Sequence, residues 1–120
     1  MTQGRVLIIA GSDSGGGAGI QADIKTVTAL GGYAATAVTA ITVQDTNGVH
    51  AVDTVSDDTI RQQIDVVIGE IGADCIKIGM IGTRSAGEVI TRALKDWPSI
   101  PVVLDPVLVA TSGDSLGDND

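Results

Sequence analysis

The sequence predicts an α/β fold in which a mostly parallel sheet is flanked by helices on both faces, giving three α/β/α layers. Short apolar runs rich in β-branched residues recur along the chain, as is typical of strands buried on both faces. Segments with apolar residues at helical spacing separate these runs. Strands that alternate with helices in this way form parallel sheets with right-handed crossovers.

The first strand and the first helix enclose a glycine-rich stretch, GSDSGGGAGIQADIK, at residues 11–25. Val6–Ala10 is a continuous apolar run, and a helix is predicted over 19–30 before the stop signal Gly31-Gly32. The apolar face of this helix consists of Ile20, Ile24, Val27 and Leu30. A loop between a strand and a helix is where such sheets bind ligands, and its glycines let backbone N–H groups approach one closely. The P-loop and dinucleotide-binding signatures both fit this loop poorly.

The remaining elements are predicted from β-propensity, helical spacing and turn signals. Strands are expected at 36–43, 51–55, 75–78 and 102–104, the last of them buried. One helix opens at Ser56-Asp57-Asp58 and carries apolar residues through position 71. Another begins at a capping box over 85–88 and ends before Pro98. His50 is placed on a solvated loop, and Cys75 is placed in the core.

Composition excludes several classes of protein. The 120 residues are 43% hydrophobic, which is ample for the core of one domain or part of one. Seven basic residues against 15 acidic ones give a net charge of −8, which argues against nucleic-acid binding. No signal peptide and no membrane-spanning run are expected. The single cysteine fits a reducing cytoplasm.

Three polar side chains follow strands or begin a helix, where they could serve either structure or ligand binding. Asp23 could complement the helix dipole or accept hydrogen bonds from an amino-bearing ligand. Gln44 could stabilise its turn or bind a heteroaromatic ring edge. Asp105 could form an Asx turn or help to hold Mg²⁺. Lys25 and Lys77 could reach a phosphate, but a solvated or sheet-end charge is the commoner use of such lysines.

Four stretches resemble the hydroxymethylpyrimidine/phosphomethylpyrimidine kinases of thiamine biosynthesis, which belong to the ribokinase-like superfamily. They are AGSDSGGGAGIQADIKT at 10–26, AITVQDTNGV at 40–49, IKIGMIG at 76–82 and VVLDPVLVATSGD at 102–114. They occur in the order and spacing of the family. The resemblance implies that residues 1–120 form the N-terminal part of a single ribokinase-like kinase domain, about half of a family member.

The resemblance also implies roles for particular residues. A carboxylate at Asp23 would hold the ring's amino group, and an amide at Gln44 would hydrogen-bond the pyrimidine. Asp105 would support Mg²⁺ near the triphosphate of ATP. The same pocket would be lined by Gly11, Met80 and Val107.

The catalytic residues of the family are expected beyond residue 120. The family's Asn-x-x-Glu motif, its nucleotide-binding lysines and its Gly-Thr-Gly-Cys anion hole have no match in this sequence, and Cys75 does not align with the catalytic cysteine. The resemblance implies ATP-dependent phosphorylation of a hydroxymethylpyrimidine and its monophosphate, by a homodimer, although this chain alone is expected to be inactive. A pyridoxal or pyridoxine kinase and a non-catalytic ligand-binding fragment are the alternatives.

Overall fold

The computed structural model describes residues 3–105, in which strands and helices alternate along the chain. The strands are β1 (Arg5–Asp13), β2 (Tyr33–Asp45), β3 (Gly48–Thr54), β4 (Cys75–Ile78) and β5 (Val102–Leu104). The helices are α1 (Gly19–Ala29), α2 (Asp57–Val66) and α3 (Arg84–Lys95). A single π-helical turn, Val67–Ile71, continues α2.

The five strands form one sheet in the order β3-β2-β1-β4-β5. The pairs β1–β2, β1–β4 and β4–β5 are parallel, and only β3 runs antiparallel, against β2. Helices α2 and α3 pack on one face, and α1 packs against β1 and β2 on the other. The predicted three-layer α/β/α architecture is therefore confirmed.

The main core lies between the sheet and the face formed by α2 and α3. Alternate residues of β1 and β4 point into it, as the two-residue period of a strand requires. Its fully buried side chains include Leu7, Ile9, Ile60, Ile64 and Ile76. The opposite face is covered less completely, because α1 contains no fully buried residue.

Three burial predictions are wrong, and each error has a positional cause. Leu30 is 84% exposed because it caps the C-terminus of α1 instead of facing the sheet. Cys75 is only half-buried, since its neighbour Ile76 takes the core side of β4. Strand β5 is exposed throughout, because within residues 3–105 it forms the edge of the sheet.

The bounds of three strands and one helix cap also differ from the predictions. Strand β1 continues three residues past the predicted end, to Asp13, and strand β2 is longer at both ends. Strand β3 begins at Gly48, so that His50 lies on a strand and not on a loop. The N-cap of α3 is Thr83, whose hydroxyl accepts a hydrogen bond from the Ala86 N–H at 3.1 Å. Ser85, the predicted cap, lies inside the helix. The predicted start of α2 is confirmed, with Ser56 as its N-cap.

The three α-helices are 11, 10 and 12 residues long. None of the helices within residues 3–105 has the length and apolar character that crossing a membrane requires.

Candidate functional site

A cavity of about 260 Å³ lies at the carboxyl ends of β1, β2 and β4, beside the N-terminus of α1. This is the edge of an open α/β sheet at which ligands bind. Five of the six residues predicted to bind ligand or metal border it, namely Gly11, Asp23, Gln44, Met80 and Asp105. The sixth, Val107, lies outside the described residues. The fold thus gathers residues from distant positions around one cavity, and their binding roles stay predictions.

The glycine-rich loop is folded around the carboxylate of Asp13. Oδ1 of Asp13 accepts a hydrogen bond from the Gly15 N–H at 2.7 Å. Oδ2 accepts hydrogen bonds from the N–H groups of Gly17 and Ala18 at 2.9 and 2.8 Å. Gly15 and Gly17, two of the glycines whose N–H groups are expected to approach a ligand, therefore donate within the loop. An internal carboxylate takes the position that an anionic ligand would occupy in a phosphate-binding loop.

A second set of hydrogen bonds ties the loop to the start of α1. The side-chain oxygen of Gln21 accepts from the Asp13 N–H at 2.7 Å, and its amide nitrogen donates to the Ser12 hydroxyl at 2.7 Å. Lys25 donates to the Gly16 carbonyl at 2.8 Å from an exposed position. Gln21 and Lys25 therefore support the loop from outside the cavity.

Asp13 is buried, yet it stays ionised. Burial alone would raise the pKa of its carboxyl group, but hydrogen bonds from the Gln44 side chain and from three backbone N–H groups outweigh that effect and lower the pKa. Gln44 borders the same cavity as this ionised carboxylate, toward which only its amide nitrogen can donate.

Asp23 and Lys77 form an ion pair at the wall of the cavity. The Lys77 ammonium lies 2.8 Å from Oδ2 of Asp23, and the two side chains are only 24% and 21% exposed. Asp23 is the fifth residue of α1 and lies beyond its first turn, which holds no acidic residue. The helix-dipole interpretation of Asp23 is therefore wrong, and its counter-charge comes from β4.

Gly11 and Met80 are packed directly against each other. A Cβ atom at Gly11 would lie 3.0 Å from the Met80 sulfur and 3.5 Å from the Ala40 carbonyl oxygen. Met80 is buried, and its carbonyl accepts a hydrogen bond from the buried Thr39 hydroxyl at 2.7 Å. A side chain at position 11 would therefore push the Met80 sulfur aside by a few tenths of an ångström.

Two candidate residues lie away from the cavity. His50 is exposed on β3 and hydrogen-bonds Asp45 at 3.1 Å. Cys75 lies at the start of β4, at the opposite end of the sheet, beside a second cavity bordered by Arg5 and Asp74. Neither residue joins the candidate site.

Sequence reasoning missed two residues that shape the site. No contact within the loop is predicted for Asp13, and a solvated or sheet-end charge is the commoner use predicted for Lys77. An Asp that lies four and five residues before Gly17 and Ala18 can accept hydrogen bonds from their N–H groups. This spacing is a local signal that could have been recognised in the sequence. Nothing in the sequence could pair Lys77 with Asp23, which lies 54 positions away.

Comparison with known proteins agrees with this geometry. The family model described as phosphomethylpyrimidine kinase matches residues 13–120. A hydroxymethylpyrimidine/phosphomethylpyrimidine kinase of Rhizobium meliloti is 52% identical over 110 residues, which cover 92% of this chain and 41% of that protein. The chain thus spans about two fifths of the length of this relative.

Solved structures lead to the same class. A phosphomethylpyrimidine kinase of Clostridium difficile superimposes with a TM-score of 0.89 and 42% identity, over 98% of this chain and 51% of that one. A pyridoxal kinase of Bacillus subtilis gives a TM-score of 0.80 and 40% identity, over 87% of this chain and 41% of that one.

The sheet order and the cavity at its carboxyl edge therefore define part of a ribokinase-like vitamin kinase fold. Within that class, the match over residues 13–120 is specific. The chain belongs to the phosphomethylpyrimidine kinase family.

Proposed function

We propose that this chain provides the pyrimidine-binding part of a kinase that phosphorylates 4-amino-5-hydroxymethyl-2-methylpyrimidine and then its monophosphate. The observation that carries the proposal is the cavity where Asp23 and Gln44, 21 positions apart, border the same space in a member of this family. Oδ1 of Asp23 accepts no hydrogen bond within residues 3–105, so it is available to the ring's amino group. The amide oxygen of Gln44 supplies a second acceptor.

The phosphoryl donor in this proposal is ATP. A structural relative, a pyridoxal kinase of Staphylococcus aureus, is solved with AMP-PCP and is 38% identical to this chain. Phosphoryl transfer depends mainly on positioning the reactants and on electrostatic stabilisation of the phosphoryl oxygens. This chain's contribution would be to position the acceptor hydroxymethyl group, and the family's anion hole and cysteine would act from beyond residue 120.

Magnesium fits the described residues only in part. Within residues 3–105 no three His, Cys, Asp or Glu side chains cluster in a way that could hold a metal ion. Asp105, at the rim of the cavity, offers a single carboxylate. We propose a supporting role for Asp105 toward Mg²⁺, with the remaining ligands supplied from elsewhere, and we derive no catalytic step from it.

The cellular setting follows from the same proposal. A small-molecule kinase of vitamin biosynthesis is expected to act in the cytoplasm as a homodimer. The acidic balance of the chain, with a net charge of −8, supports a small-molecule partner and not a nucleic acid.

Calorimetric titration of hydroxymethylpyrimidine into the chain tests the proposal. Saturable binding is expected, and Gln44→Ala and Asp23→Ala should each weaken it by roughly 1–3 kcal/mol, the usual cost of removing a buried polar partner. Gln62→Ala, on the exposed face of α2, is the matched control and should bind like the wild type. Unchanged affinity in both cavity variants would contradict the assignment.

A pyridoxal or pyridoxine kinase is the second candidate, because pyridoxal kinases also share this fold at 38–40% identity. Both ligands are hydroxymethyl-bearing heteroaromatic rings. Competition by pyridoxine in the same titration separates the two candidates. Displacement of the pyrimidine at equal or lower concentrations of pyridoxine would favour the second.

A further inference from the structure

Lys77 holds an unusual position for a lysine. It lies on β4 between Ile76 and Ile78, which both point into the main core, so its side chain leaves the opposite face of the sheet. From there it runs toward the carboxyl edge, and its ammonium group lies 3.2 Å from where a Cβ of Gly79 would be. Glycine at position 79 thus leaves room for the ammonium group beside the cavity.

The ammonium group has one hydrogen-bond partner in the described part of the chain, Oδ2 of Asp23 at 2.8 Å. This contact joins α1 to β4 on the face of the sheet that α1 covers. The contact fixes Oδ2 of Asp23, and it leaves Oδ1 without a partner among the described residues. The carboxylate is therefore held in one orientation, with a single acceptor available.

We propose that Lys77 is a positioning residue that makes Asp23 specific for a ring bearing an amino group. This role rests on the proposed function. A carboxylate paired with an ammonium group remains an anion that can only accept hydrogen bonds. Such a carboxylate favours binding of a ligand that presents an N–H donor, and it disfavours a ligand that presents an anion or an acceptor at the same place.

The alternative is that Lys77 contacts the ligand directly, for example through a phosphate group. The observed geometry favours the positioning role, because the ammonium group lies 2.8 Å from the Asp23 carboxylate and the two side chains are only 24% and 21% exposed. In that arrangement the loss of Lys77 acts on the ligand only through Asp23.

The test compares two ligands against Lys77→Met by calorimetry. One ligand is 4-amino-5-hydroxymethyl-2-methylpyrimidine, and the other is the same ring without the amino group. We expect Lys77→Met to weaken binding of the amino-bearing ring about tenfold or more, the usual effect of losing a hydrogen bond to a charged group. Binding of the ring without the amino group should not change.

Three variants separate positioning from simple loss of structure. Lys77→Arg keeps the charge and should recover most of the affinity for the amino-bearing ring. Lys95→Met removes an exposed lysine of α3 that does not border the cavity, and it should leave both affinities unchanged. Asp23→Asn combined with Lys77→Met removes both charges together, so it should fold and bind the amino-bearing ring no worse than Asp23→Asn alone.

The outcomes are distinct. Equal losses for both ligands in Lys77→Met, or additive losses in the double variant, would overturn the positioning role while leaving the proposed function intact. Unchanged affinity in Lys77→Met would do the same. If the wild-type chain, shown to be folded by circular dichroism, binds neither ring, the proposed function fails and this role fails with it.

Discussion

Both ends of helix α1 have a glycine with a positive φ, but the two glycines are under different constraints. Gly19 begins the helix with φ +58°, and Gly31 follows it with φ +86°. A Cβ at Gly19 would lie 2.5 Å from the Gly11 carbonyl oxygen, whereas a Cβ at Gly31 would meet nothing within 4 Å. Both positions therefore favour glycine for its backbone freedom, but only Gly19 also needs it for close packing against β1.

The two ends of the sheet also differ in how each holds a carboxylate. At the carboxyl end, buried Asp13 accepts hydrogen bonds from the backbone of the glycine-rich loop. At the amino end, exposed Asp74 is held by Arg5, which lies 3.0 Å away, and its pKa falls to about 2 mainly because of the hydrogen bond from that side chain. At the site end the carboxylate is thus held by main-chain groups, which a side-chain substitution does not remove. At the opposite end the carboxylate is held by Arg5 at the surface.

The largest effect is expected from Gly19→Ala. The variant combines a left-handed conformation, which costs about 1–2 kcal/mol, with overlap against backbone atoms, which costs about 1–3 kcal/mol more. Urea unfolding should therefore show a loss of about 3 kcal/mol. Gly31→Ala is the matched control and should lose only about 1–2 kcal/mol. Equal losses at both positions would break the comparison between the two ends.

Asp13→Ala should come next, with a loss of about 2–3 kcal/mol, because three backbone N–H groups of the loop lose their acceptor. Asp13→Asn keeps one acceptor oxygen and should lose less. Since the pKa of Asp13 is lowered by folding, the advantage of the wild type over Asp13→Asn should be complete above about pH 3.9 and decline as the pH falls below it. An advantage that grows in acid would contradict the assignment.

The start of α3, also at the carboxyl end of β4, gives a smaller effect. Thr83→Ala removes the N-cap hydrogen bond to Ala86 and should cost about 1 kcal/mol in unfolding free energy. Ser85 is the second residue of α3 and is not its cap, so Ser85→Ala should be nearly neutral. Thermal unfolding of the two variants side by side decides between the observed cap and the capping box predicted from sequence.

Asp74→Asn should have the smallest effect, since exposed ion pairs contribute little and are screened by salt. The lowered pKa of Asp74 fixes the direction of its pH dependence. Its contribution to stability is present above about pH 3.9, the value in the unfolded chain, and is lost as the pH falls toward 2. Binding at the cavity should not change, and a weakened affinity would show that the two ends of the sheet are coupled.

Much of this architecture follows from local sequence signals. The alternation of strands and helices, the helix start at Ser56 and the stop at Gly31 are confirmed, because capping and backbone freedom act over a few residues. Burial was predicted less well at Leu30, Cys75 and β5. Their exposure depends on which neighbouring element covers them, and that is a property of the assembled sheet.

The sequence by itself determined the fold class, the family motifs and the glycine-rich loop between β1 and α1. Only the tertiary structure decided two further points. The loop folds around Asp13, which accepts the hydrogen bonds of its backbone N–H groups, and Lys77 is the cation that pairs with Asp23. The reason is physical. The pattern of a strand or a helix depends on residues a few positions apart. The contact between Lys77 and Asp23 exists only because parallel strands bring their carboxyl ends to one edge of the sheet.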